Sequence, residues 1–220
     1  MIHIHELKLL NTIQESHDVI TYIFEKPGIE WSEGTNVHVA FHDFEAYEKT
    51  YVRHLSVTTL TTEDDFRFTT RLSSSPFKEK LNNLKIGDTM LFFKFNARIP
   101  LETGRSIVLL SMGVGLAAYQ TLMKTISNEG STNDIKSITV AKEDLFLDSI
   151  RAMGIDHSIT RNRKDYHHLI ESTYNKDAIY YIVGSDDFLE DNIRFLKDKN
   201  HTSELIKIDK KENKRELYAI

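Results

Sequence analysis

The patterning of this chain changes near residue 100, and that change limits its folds more than any other feature. Before Pro100 the apolar residues come in short runs at 19–25, 36–41, 53–59, 66–71 and 89–95, parted by turn signals such as Lys26-Pro27-Gly28 and Gly87-Asp88. Such runs, rich in branched and aromatic residues, predict strands, and their spacing predicts a small antiparallel barrel. One short helix interrupts them, with Ser75 as N-cap and Pro76 in the first turn.

After Pro100, apolar runs at 107–112, 138–141, 157–160, 179–183 and 205–208 alternate with segments of helical period. Leu116, Tyr119, Met123 and Ile126 share one helical face, as do Leu189, Ile193 and Leu196. Alternation of strand and helix predicts an α/β domain with a doubly wound parallel sheet. The expected division is 1–102 and 103–220, and 220 residues with 40% hydrophobic content suffice for two cores.

Composition removes several function classes. A net charge of -5 lacks the basic footprint of a protein that neutralises many phosphates, so nucleic acid is not an expected partner. The chain has 0 cysteines, which excludes disulfides, thiolate nucleophiles and cysteine-ligated clusters. Redox chemistry would need a bound organic cofactor or an unusual metal site. Histidine and charge interrupt the N-terminal MIHIHELKLL, no apolar run approaches the ~20 residues of a membrane span, and a cytoplasmic location is the expectation.

Three turns in the second half stand just past expected strands. Ser111-Met112-Gly113-Val114-Gly115-Leu116-Ala117 opens a helix, where glycines admit close ligand approach and N–H groups favour a diphosphate; tight packing would use the same residues. Val183-Gly184-Ser185-Asp186-Asp187 is the second, with Asp186 also suited to helix capping, and both glycine turns could line one crevice beyond the strand ends. In the third, Thr160-Arg161-Asn162-Arg163-Lys164-Asp165-Tyr166, the cations suit a 2′-phosphate and Tyr166 suits an adenine, the ordinary alternative being a solvated loop.

The stretch Arg53-His54-Leu55-Ser56-Val57-Thr58-Thr59 puts a guanidinium and hydroxyls on a strand, and Thr69-Thr70-Arg71-Leu72-Ser73-Ser74-Ser75-Pro76-Phe77 leads into Leu81 and then Gly87-Asp88. In order and spacing these motifs resemble the ferredoxin–NADP reductase superfamily of flavoproteins over nearly the whole chain. The resemblance implies a barrel that binds FAD, with FMN as the alternative, followed by a domain that binds NADPH or NADH. It implies that Arg53 pairs with the flavin phosphate and that His54 and Leu55 belong to the same binding strand. Ser56 would sit at the reactive N5 edge as the catalytic hydroxyl. Thr69, Arg71, Ser73, Ser74, Ser75 and Phe77 would form the phosphate loop. Gly113, Val114, Gly115 and Leu116 would meet the nicotinamide nucleotide, with Gly184 and Ser185 nearby. Thr160, Arg161, Lys164 and Tyr166 fall where NADP-preferring members hold the adenosine phosphate, which favours NADPH. Tyr218 would cover the flavin.

The chain departs from the family at four places. Leu55 stands where an aromatic ring usually stacks on the flavin, a contact worth on the order of 1 kcal/mol. Phe95-Asn96-Ala97-Arg98 replaces a glycine–proline–glycine turn, Val183-Gly184-Ser185 lacks a cysteine many relatives carry, and the C-terminus lacks the usual closing pattern. The expected activity is hydride transfer from NAD(P)H to flavin, then electron transfer to a protein or small-molecule acceptor. The alternative is a non-catalytic flavin- or nucleotide-binding sensor or partner subunit. His38 and His42 with Asp43, or His3 with His5, do not complete a metal ligand set, and no metal is expected.

Overall fold

The computed structural model describes residues 3–42, 51–131, 134–210, 215–218 and 220, and divides into two compact units, Met1–Ala97 and Arg98–Ile220. The first contains β1 (Ile4–Ser16), β2 (Val19–Glu25), β3 (Thr35–Ala40), β4 (Val52–Ser56), β5 (Asp65–Arg71), α1 (Pro76–Asn82) and β6 (Thr89–Ala97). The strands form one antiparallel sheet in the order β4-β3-β6-β1-β2-β5. Among the described residues its edges approach each other at an isolated bridge between Val57 and Phe68, so the sheet is barrel-like without being closed. Inside lie Tyr22, Phe24, Val37, Val39, Phe66, Phe68, Phe77, Leu81 and Phe92.

Strand β1 has no counterpart among the runs expected from the sequence, yet it is central. Its first residues pair with β6 and the rest with β2, with register shifts at Leu9/Asn11 and Gln14/Ser16. Each shift moves the inward phase by a residue, which breaks the alternation that marks a strand.

The second unit contains β7 (Ile107–Met112), a 3₁₀ turn (Gly113–Tyr119), α2 (Gln120–Asn128), β8 (Ile135–Val140), α3 (Leu147–Ala152), β9 (Asp156–Thr160), α4 (Arg163–Ser172), β10 (Ile179–Val183), α5 (Asp186–Asp198) and β11 (Ile206–Ile208). All five strands are parallel, in the order β11-β10-β7-β8-β9. One face, with Val108, Leu110, Ile138, Tyr180 and Ile182, packs on Tyr166 and Ile170 of α4 and on Phe188, Leu189, Ile193 and Leu196 of α5. Leu109, Ser111, Ser137, Thr139 and Tyr181, on the opposite face, are buried as well. Burial on both faces is what a parallel sheet requires. The strand order reverses between β7 and β10, the place where open sheets of this kind leave a crevice beyond their carboxyl ends.

Candidate functional site

In the first unit the polar residues gather where β4 and β5 meet α1. Arg53 pairs across the sheet with Val39 and Leu55 with Val37, both core residues, whereas His54 pairs with His38 and Ser56 with Asn36. Cross-strand partners share a face, so Arg53 and Leu55 lie on the inner face of β4 and His54 and Ser56 on the outer. Three residues apart on a strand means opposite faces, and Arg53 and Ser56 can therefore meet one ligand only around the end of β4, where Ser56 is the last residue. The His54 ring stacks on His38 with centroids 3.8 Å apart.

Arg53 carries its guanidinium over the Phe77 ring, 5.2 Å from the centroid. Lys78 brings its ammonium to 6.0 Å from the same ring and donates a hydrogen bond to the Thr70 hydroxyl. Burial, and then the neighbouring Arg53 charge, push Lys78 down to about 8. The sequence reading missed Lys78 because a Lys-Glu-Lys run on a short helix reads as solvated surface. Its position directly after Pro76-Phe77 was the available signal.

The expected phosphate loop is only partly assembled. Thr70, not Thr69, faces Lys78; the Thr69 hydroxyl instead hydrogen-bonds Thr21 at 2.6 Å, and Arg71 forms an ion pair with Asp18. Strand alternation puts both side chains on the far face of β5. Ser73 and Ser74 are exposed, and Ser75 precedes α1 without a capping side-chain bond. Phe77 is fully buried in the core and presents its ring to the two cations. Thr58 and Thr59, at the end of the stretch that begins at Arg53, are buried, and the Thr59 carbonyl accepts from the Trp31 indole at 2.8 Å.

In the second unit the two glycine turns do come together. Val183 pairs with Ser111, so the carboxyl ends of β10 and β7 are level, and a Cβ on Gly115 would stand 2.9 Å from the Val183 carbonyl oxygen. Gly113 has φ +54, in the left-handed region. Val114 is half-buried and Leu116 fully buried. Gly184 is required by packing: a Cβ there would lie 2.5 Å from Cδ1 of Phe188, a core side chain. Ser185, rather than Asp186, caps α5, its hydroxyl accepting from the Phe188 amide at 3.3 Å. Asp186 accepts from Lys210 at 2.7 Å and from the Tyr218 hydroxyl at 3.1 Å, which holds Tyr218 next to the Gly184 turn. Burial, together with the hydrogen bond and charge of Asp186, pushes the Tyr218 phenol up to about 12.

The third turn departs from expectation. Tyr166 is 1% exposed, donates to Asn192 at 2.8 Å and packs 5.4 Å from Phe188, so it is a core residue and cannot cover an adenine at the surface. Asn162 caps α4 by accepting from the Asp165 amide, and that start sets the helical phase that turns Tyr166 and Ile170 inward. Arg161 donates to Asp144 at 2.6 Å and to the Ala141 carbonyl at 3.2 Å. Lys164 is exposed, and the Thr160 hydroxyl oxygen is buried without a hydrogen-bond partner among the described residues.

Among the described residues no group of three or more His, Cys, Asp or Glu side chains lies close enough to hold a metal; Asp43 lies outside them. No helix among them is long and apolar enough to cross a membrane. A cavity of about 360 Å³ lined by Arg105, Ser106, Ile126, Glu129 and Asp134 opens at the amino ends of β7 and β8, away from the glycine turns.

No known family's sequence profile matches the chain, and no curated protein matches it by sequence. Solved structures do. The flavohem-like FAD/NAD-binding domain of nitric oxide dioxygenase from Vibrio cholerae O1 biovar El Tor aligns with TM-score 0.77 and 16% identity, over 92% of this chain and 96% of that one. A ferredoxin NADP+ reductase from Neisseria gonorrhoeae, solved with bound FAD and NADP, aligns with TM-score 0.73 and 16% identity over 93% and 97%. The ferredoxin reductase in carbazole 1,9a-dioxygenase aligns with TM-score 0.77 and 14% identity over 94% and 69%. A barrel-like antiparallel sheet followed by a five-stranded parallel sheet thus gives this chain the two-domain fold of the ferredoxin reductase-like FAD/NAD-binding proteins.

Proposed function

We propose that this chain is a flavin-dependent oxidoreductase that takes hydride from NAD(P)H and passes electrons to a protein or small-molecule acceptor. One observation carries the reading: Arg53 and Lys78 converge on the Phe77 ring, with Lys78 partly desolvated, an arrangement that suits an anionic phosphate. Leu55, half-buried on the same face of β4, offers an apolar contact for a flavin ring. These residues fit FAD, and FMN equally, since both carry a phosphate. When bound, the flavin supplies the hydride and electron chemistry. Ser56 at the end of β4 offers the hydroxyl for its reactive edge.

In the second unit, the Gly113 to Leu116 turn lies beside the Gly184 turn at the reversal of strand order, a place that suits a nucleotide diphosphate. Tyr218, held by Asp186 at that edge, is the aromatic available to cover a ring. The preference for NADPH loses Tyr166, rests on Arg161 and Lys164, and is opposed by the Asp144 carboxylate paired with Arg161. A non-catalytic flavin-binding module is the second reading, favoured by the aliphatic Leu55 where a stacking ring would hold flavin tightly.

Cofactor extraction and identification from the purified chain tests the reading. A yellow protein whose absorbance bleaches with NADPH or NADH supports the enzyme. Flavin that binds and never bleaches supports the module, and a colourless protein that takes up no added FAD or FMN ends both. Arg53→Ala should release the flavin while leaving the parallel-sheet unit folded.

A further inference from the structure

We propose that Lys78 is a second cationic anchor for the phosphate of the bound flavin, placed beside Arg53 by its hydrogen bond to Thr70. The inference rests on the flavin reading above and adds a residue that the family resemblance did not supply.

Lys78 is the third residue of a short helix on the barrel-like unit, where a lysine ordinarily extends into water. Here it folds back onto the inner face of β5, with its ammonium bonded to the Thr70 hydroxyl and 6.0 Å from the Phe77 ring. Arg53 reaches the same ring from β4, 5.2 Å from its centroid. Among the described residues no carboxylate pairs with Lys78. A hydroxyl and a ring face leave a partly desolvated ammonium short of compensation, and a second cation nearby worsens it. A phosphate reverses both effects, because it accepts charge-assisted bonds from an ammonium and a guanidinium at once. The neighbours on each packed element are consistent with this. Arg53 comes from β4 and Thr70 from β5, Glu79 and Lys80 on α1 are exposed, and Arg71 with Asp18 lies on the other face of β5.

The site therefore couples flavin to protons. With Lys78 near 8 in the absence of an anion, a bound phosphate restores its ordinary affinity for a proton, so flavin binding takes up a proton under mildly alkaline conditions.

The test uses the full chain freed of flavin and titrated with FMN, with riboflavin, which lacks only the phosphate, and with inorganic phosphate. Lys78→Met should weaken FMN by about tenfold or more, the loss of one charged hydrogen bond, and leave riboflavin unchanged; Lys78→Arg should recover part of the FMN affinity. Inorganic phosphate should compete with FMN and not with riboflavin. Calorimetry in buffers of different ionisation enthalpy should show proton uptake on FMN binding that is larger near about pH 9 than near about pH 7 and is absent in Lys78→Met. Equal weakening of FMN and riboflavin, or FMN affinity indifferent to Lys78, overturns the anchor and leaves the flavin reading standing. A wild-type chain that binds inorganic phosphate and no flavin overturns both.

Discussion

The carbonyl oxygen of Val183 occupies the space where a side chain on residue 115 would begin, 2.9 Å from the position of its first carbon. The two glycine-bearing turns are therefore in contact, and Gly115 is set by backbone against backbone, which cannot yield as a flexible side chain can. Gly115→Ala should lower stability by about 1–3 kcal/mol through overpacking and weaken NAD(P)H binding, read by urea unfolding and by nucleotide titration. An alanine variant with unchanged stability and affinity would show that the turn is more tolerant than its geometry implies.

The ion pair between Arg161 and Asp144 sets the second prediction. Asp144→Asn frees the guanidinium from its carboxylate and removes a negative charge that a 2′-phosphate would meet. The ratio of kcat/KM for NADPH to that for NADH should rise by about tenfold. Arg161→Ala should move the ratio the opposite way by raising KM for NADPH. If neither substitution moves it, the adenosine phosphate does not bind at this end of β9.

Tyr166 separates a structural role from a binding role. Removing its hydroxyl in Tyr166→Phe strands the buried Asn192 oxygen and should cost about 1–3 kcal/mol, with no change in KM for either nucleotide. Burial raises this phenol well above its ordinary value, so it stays protonated as a donor. A selective rise in the NADPH KM would show that the hydroxyl takes part in nucleotide binding, which its burial argues against.

His157 and His201 give the fold a defined response to acid. Burial lowers both imidazoles below their ordinary value. The folded chain therefore binds fewer protons than the unfolded one once the pH drops below about 6.5. The stability they contribute is complete above that pH and is lost as pH falls toward the folded values. Urea midpoints should decline from about pH 7 to about pH 5, and the decline should be shallower in His201→Gln. A profile of the same slope in the variant would sink the assignment to His201.

Much of the architecture could be read from patterning because strands 19–25, 107–112 and 179–183 have clean apolar runs bounded by turns. What escaped was lost for identifiable physical reasons. The two register shifts in β1 scramble its phase, so a central strand looks irregular in sequence. Tyr166 reads as a surface residue because its cationic neighbours dominate the stretch, although the Asn162 cap and the spacing to Ile170 already encode an inward face. Thr69 and Thr70 are chemically alike, and only the pairing of β5 with β2 decides which of them meets Lys78.

The Tyr181 hydroxyl donates to the Pro100 carbonyl at 3.0 Å and accepts from the Glu102 amide at 2.9 Å, while Lys207 forms an ion pair with Glu102 at 2.6 Å. The segment after Pro100 is thereby stitched to the interior of the parallel sheet. A separately expressed second unit would need to start upstream of Pro100, since trimming at Thr103 would take away both the carbonyl that the Tyr181 hydroxyl donates to and the amide that donates to it.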